Sequence, residues 1–163
     1  MQRILALTLS LAPLLSACGG AAAADPADAA DAGYRALGKG DYSGAVSHFD
    51  TALATAAPGA DTKELALARC EALAHTDPKA VEASMKSIQG LSAKDYGLIA
   101  RACLSSKAYT EAGQVMHLGV TAFPDEPAME TLKNEVANAV AKSGDKAAND
   151  ALKGLGYLGG DEQ

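Results

Sequence analysis

Apolar residues recur every three or four positions along most of this chain, the spacing that gathers side chains on one face of an α-helix. The pattern predicts a helix from about Asp61 to Ala74 and another that begins at Asp77 and Pro78. Aspartate is a favoured N-cap and proline suits the first helical position, so Asp77 is the expected cap of the second helix. A further helix is predicted after Pro124. Its apolar stripe consists of Met129, Leu132, Val136, Ala139 and Val140.

The first 18 residues have a different pattern. Arg3 is followed by the apolar run Ile4–Leu15. Its 12 residues are fewer than the roughly 20 that a membrane-spanning helix needs. The run is followed by small residues and has the features of a cleavable export signal. We therefore expect the protein to be exported.

The end of this segment, Leu15-Ser16-Ala17-Cys18, resembles the lipobox of bacterial lipoprotein precursors. The resemblance implies that residues 1–17 are a signal peptide, that Cys18 is lipidated, and that residues 18–25 form a flexible tether. Two or more acyl chains hold a protein stably at a bilayer. The expected location is a bacterial membrane, and the outer membrane facing the periplasm if the host has two membranes. An ordinary secretory signal with an incidental cysteine is the alternative.

A repeat organises the following residues. The segment Gly40–Leu53 resembles the second half of a tetratricopeptide repeat. The matching positions are Tyr42, Ala45, Phe49, Ala52 and Leu53. Gly33 takes the small position at which the two helices of a unit pack closely, and Pro58 ends the unit.

The same pattern returns 67 residues later, close to two repeats of about 34 residues. The matching positions are Ala100, Tyr109, Ala112, Met116 and Pro124. A degenerate copy lies between them, at residues 60–90. The resemblance implies an all-α fold, a short α-solenoid of about three helix pairs plus a C-terminal capping helix over residues 26–142. Residues 143–163 are the expected C-terminal tail, and an unrelated helical bundle is the alternative fold.

The amino-acid composition is typical of a helical fold, and the net charge disfavours one class of partner. Alanine, the best helix former, accounts for 37 of the 163 residues, whereas there are only two Phe, five Tyr and no Trp. The net charge of −6 becomes −7 when Arg3 leaves with the signal peptide. An acidic balance disfavours nucleic acid as a partner, since phosphates attract a Lys and Arg surplus.

Motifs for catalysis are not found in the sequence. Gly154–Gly159 spells G-x-G-x-x-G, but no predicted strand precedes it, so a dinucleotide site is not expected. None of His48, His75 and His117 has a further zinc ligand at a typical spacing. We therefore expect no catalytic residue, no metal and no cofactor, and a protein that is not an enzyme.

Two cysteines, Cys70 and Cys103, lie 33 residues apart at equivalent places in the first helices of successive units. Because an exported compartment is oxidising, a disulfide between them is one expectation. We favour a pair of buried free thiols over this bridge, because a bridge requires Cα atoms within about 7 Å of each other and equivalent positions on parallel helices often lie farther apart.

The first helices of solenoid units line a concave groove that binds partners. By their phase in the repeat, the groove candidates are Tyr34, Leu37, Lys94, Arg101 and Leu104. Surface residues that merely pack on their neighbours are the alternative reading of these positions. We expect a protein partner in the envelope and a role as an interaction scaffold or assembly factor. The alternative is an envelope ligand-binding lipoprotein or an enzyme whose site the sequence does not reveal.

Overall fold

The computed structural model describes residues 25–158. Over this range the chain forms eight α-helices, one 3₁₀ turn and no strand, so the prediction of a short all-α solenoid is confirmed. The helices are α1 (Pro26–Gly38), α2 (Tyr42–Thr55), α3 (Lys63–Thr76), α4 (Val81–Ser87), α5 (Ala93–Ser105), α6 (Tyr109–Ala122), α7 (Pro127–Ser143) and α8 (Lys146–Gly154). The 3₁₀ turn, Pro78–Ala80, precedes α4.

The helices form two layers. Consecutive helices pack as α1 with α2, α3 with α4, α5 with α6, and α7 with α8. In the odd layer α3 packs on α5 and α5 on α7, while in the even layer α4 packs on α6 and α6 on α8. The even layer is interrupted at one place, because α2 packs on α1 and α3 without a comparable contact to α4.

Most helix starts follow from local side-chain chemistry. Asp25, Asp41 and Asp145 each accept a hydrogen bond from a backbone N–H in the first turn of the next helix. At α5, Ser92 and Asp95 form a reciprocal capping box. Asp77 is at the N-cap position and Pro78 begins the helical segment, as predicted; its first turn is a 3₁₀ turn that leads into α4, and the Asp77 side chain makes no capping hydrogen bond.

Two apolar clusters hold the layers together. The main core joins α3 to α8 and includes fully buried Ile99, Met116, Leu132 and Val136. The N-terminal cluster is much smaller. It consists of Ala36, Ala45, Phe49, Ala68 and Ala72. Helix α3 belongs to both, since Ala68 and Ala72 lie in the N-terminal cluster while Leu67, Cys70 and Leu73 lie in the main core.

The expected C-terminal tail contains an additional helix, α8, which buries Ala148 and Leu152 against the main core. After α8, the Tyr157 hydroxyl lies 2.8 Å from Nδ1 of His117 on α6, a hydrogen-bond distance. The number of repeats remains a prediction. The predicted signal peptide, the predicted lipidation site Cys18 and the predicted tether up to residue 24 lie outside the described residues. Among the described residues no helix is both long enough and apolar enough to cross a membrane.

Candidate functional site

The five groove candidates fall into two groups. Tyr34, Lys94 and Arg101 are exposed on α1 and α5. Leu37 and Leu104 are half-buried, with Leu37 packed against the N-terminal cluster and Leu104 against the main core. The first three are therefore available to a partner, while the two leucines contribute to helix packing.

Polar side chains join neighbouring helices of the odd layer at two places. Between α5 and α7, the Arg101 guanidinium donates from Nε to both carboxylate oxygens of Glu135, at 2.9 and 3.1 Å. Between α3 and α5, Ser105 Oγ lies 3.5 Å from His75 Nε2. We define the odd-helix face by these residues and by three more on the same layer: Tyr34, Glu64 and Leu98.

Tyr34 is positioned by the residue behind it. Its ring meets the buried Phe49 ring edge to face, with centroids 5.1 Å apart and planes at 73°. Such aromatic pairs are favourable beyond the area that they bury, so the orientation of the Tyr34 ring is fixed. Partial burial and the nearby Glu64 carboxylate raise the pKa of Tyr34 above its usual value. The phenol is neutral at physiological pH and can donate a hydrogen bond.

Leu98 is the residue that the sequence prediction missed. With 47% of its surface exposed, it is the most exposed large apolar side chain among residues 25–158. It lies four residues after Lys94 and three before Arg101, so helical spacing alone puts all three on one stripe of α5. This spacing could have predicted that Leu98 shares a face with Lys94 and Arg101. A leucine in a helical pattern, however, usually lies in the apolar core.

The three histidines have separate surroundings. His75 stacks on Tyr42 with ring centroids 3.8 Å apart, His117 contacts Tyr157, and His48 is exposed. Among the described residues there is no group of three His, Cys, Asp or Glu side chains that could hold a metal ion.

Both predicted disulfide partners are buried free thiols in this structure. Burial raises the pKa of Cys70 to about 11. Burial, aided by the charges of Glu111 and Cys70, raises the pKa of Cys103 to about 12. The two thiols are therefore protonated at neutral pH and are weak nucleophiles, since the thiolate is the reactive form.

A cavity of about 530 Å³ lies away from the odd-helix face, beside the interruption of the even layer. Its walls come from the end of α2, the start of α3 and the residues after α4, including Leu53, Lys63 and Ile88. The sequence did not predict this opening.

Comparisons with known proteins do not assign the chain to a family. It matches no protein-family model, and neither the curated proteins nor the solved structures give a significant match.

Proposed function

We propose that this protein is a lipid-anchored scaffold of the bacterial cell envelope. Its tetratricopeptide-like helical domain binds a partner protein through the odd-helix face. The observation that carries the proposal is the exposure of Tyr34 and Leu98 on this face, beside charged residues. Tyrosine and arginine are enriched at energetic centres of interfaces, and exposed apolar side chains rimmed by polar groups mark interaction sites.

The neighbours of these two side chains favour a peptide segment as the bound group. Tyr34 is held by Phe49 and needs no rearrangement before binding, which lowers the entropic cost of association. Glu64 beside Tyr34 and Lys94 on the stripe of Leu98 are exposed and can pair with charges of a bound segment. The Arg101–Glu135 ion pair holds α5 and α7 in register beside them.

Photocrosslinking in the native host tests the binding face. A photoreactive amino acid at position 98 should give a protein adduct, whereas the same residue at position 155 should not. Leu155 is a matched control because it is an exposed leucine that follows α8. Tyr34→Ala should reduce the adduct from position 98 at least about tenfold, as loss of an interface centre requires. Equal adducts from both positions, or none from position 98, would refute the proposal.

The anchor is tested separately. In the full chain, Cys18→Ser should move the protein from the membrane fraction to the soluble fraction of the exported compartment, since the acyl chains are then lost. Cys70→Ser is the control and should leave the protein membrane-bound. Retention of the Cys18→Ser protein in the membrane would contradict the lipid anchor and leave the binding face untouched.

A further inference from the structure

The interruption of the even layer has a local cause. Helix α4 has seven residues, half the length of α2 and α6, which have 14 each. It ends where Ile88 turns to extended backbone, with φ −88° and ψ 127°. The shortened helix packs on α6 but leaves the side facing α2 open. We call the opening the α2–α4 groove.

The groove is a connected channel along α3. The cavity of about 530 Å³ adjoins a second one of about 180 Å³, and both are lined by Leu53, Ala66, Ser87 and Ile88. Along α3 the lining runs from Lys63 to Cys70, eight residues or about 10 Å of helix. This length matches two turns of a second helix.

The middle of the groove is apolar and its ends are polar. Leu53, Ala66 and Ile88 come from three different elements and meet at the centre. At one end Arg69 pairs with Asp50 and donates from Nη1 to Ser84 Oγ at 3.3 Å. The arrangement is suited to one bulky apolar side chain with polar groups on both sides of it.

The charges that solvent can reach at the ends are mainly carboxylates. The Asp50 side chain is 51% exposed, while its partner Arg69 is 27% exposed. At the other end Asp61 is exposed, while the Lys63 side chain is 31% exposed, lies 2.8 Å from the less exposed Asp95 and donates to the Gly90 carbonyl at 2.8 Å. A complementary binder therefore carries cations around its apolar group.

We propose that the α2–α4 groove binds an amphipathic helix of a second partner protein, with a central leucine-like side chain between two basic residues. The apolar side chain enters between Leu53, Ala66 and Ile88. The basic residues, two helical turns apart, reach Asp50 and Asp61. Such docking of an apolar helix stripe into a groove is an established mode of recognition. The groove and the odd-helix face involve different residues, so the inference does not rest on the proposed function.

The test uses the full chain with Cys18→Ser and a defined probe. The probe is an alanine-based helical peptide with one central leucine and lysines on both sides, two turns apart. Matched peptides replace both lysines by glutamate or the leucine by alanine. Binding is followed by NMR shifts of the backbone amides of Leu53, Ala66 and residues 84–88. The lysine–leucine peptide should bind at least about tenfold more tightly than either control.

A substitution that fills the groove should weaken binding of the lysine–leucine peptide. Ala66→Leu places extra carbons at the centre and should weaken binding at least about tenfold, whereas Ala83→Leu, on an exposed part of α4, should not. If Ala66→Leu perturbs the fold, Asp50→Asn with Asp61→Asn provides a second test, since it should remove the preference for lysine over glutamate. Absence of binding, equal binding of the lysine and glutamate peptides, or binding unaffected by both sets of substitutions would overturn the proposal.

Discussion

The N-terminal cluster and the main core consist of different kinds of side chain. In the N-terminal cluster four alanines surround one large side chain, Phe49. In the main core large aliphatic and sulfur-containing residues from six helices interlock, with Ile99, Met116 and Leu132 among those fully buried. Helices α1 and α2 therefore depend on close helix contact and one aromatic ring, while the remaining helices share a larger apolar volume.

The position of this weaker pair explains its dependence on α3. At the other end of the solenoid, α8 packs on both α6 and α7, but α2 has no comparable neighbour in the even layer beyond the groove. Regions with fewer buried apolar contacts open at lower free energy. We therefore expect α1 and α2 to unfold before the rest of the domain, although α1 carries Tyr34 of the odd-helix face.

The largest expected effect comes from removing the one ring that supports the weaker region. Phe49→Ala should cost about 3–5 kcal/mol, because Phe49 is fully buried and its loss leaves a cavity. Hydrogen exchange should show α1 and α2 losing protection while α5 to α7 keep it. Met116→Ala, at the equivalent position of the main core, should instead lower protection throughout α3 to α8. Uniform loss of protection in Phe49→Ala would show that the two regions unfold as one.

A smaller effect should come from the close contact of α1 and α2. A Cβ at Gly33 would lie 2.6 Å from Cε1 of the buried Phe49 ring. Gly33→Ala should therefore destabilise the protein by about 1–3 kcal/mol, despite the helix preference of alanine. Gly38→Ala is the matched control in the same helix, because nothing lies within 4 Å of its added Cβ. Denaturant unfolding should show opposite signs for the two variants; a stabilised Gly33→Ala would contradict the close contact.

The same contact shows what a sequence can predict. Gly33, Ala45 and Phe49 have small and large side chains at spacings that already implied a tight helix pair, and the structure contains it. The shortness of α4 was harder to see, because Val81, Met85 and Ile88 keep a helical spacing through the point where the backbone becomes extended. The α2–α4 groove forms because α4 ends at Ser87 and because of the way the helices of the two layers pack on each other. A local sequence pattern does not predict such packing. The packing of the helices likewise determines that Leu98 is exposed.

The turn between α1 and α2 and the turn between α5 and α6 offer a finer comparison. Gly40 and Lys107, which are 67 residues apart, both have left-handed backbone, with φ 76° and 64°. This conformation suits glycine but costs other residues roughly 1–2 kcal/mol. Lys107→Gly should therefore stabilise the protein by about 1 kcal/mol, and Gly40→Ala should destabilise it by a similar amount. Thermal unfolding of both variants tests the equivalence of the turns; destabilisation by Lys107→Gly would contradict it.

The smallest expected effect concerns a polar link between α3, which contributes to both clusters, and α5 of the main core. Burial acts to raise the pKa of Asp95, but hydrogen bonds from Lys63 and Ser92 outweigh it, so that the pKa is lowered below the ordinary value of 3.8. The stabilisation by the charged carboxylate is therefore present above that value and is lost as the pH falls through the lowered pKa. Because Asp95 is partly exposed, the contribution is at most about 1 kcal/mol.

Asp95→Asn should remove that part of the acid dependence and leave the remainder unchanged. The measurement is the free energy of unfolding of both proteins from pH 6 to pH 2. Lys63 links the start of α3 to the capping box of α5 and lines the α2–α4 groove, so loss of the carboxylate should loosen this end of the groove first. Chemical shifts of residues 60–63 and 88–92 should then change before those of α6. An identical pH dependence in Asp95→Asn would mean that other titratable groups, and not this carboxylate, set the acid dependence of the stability.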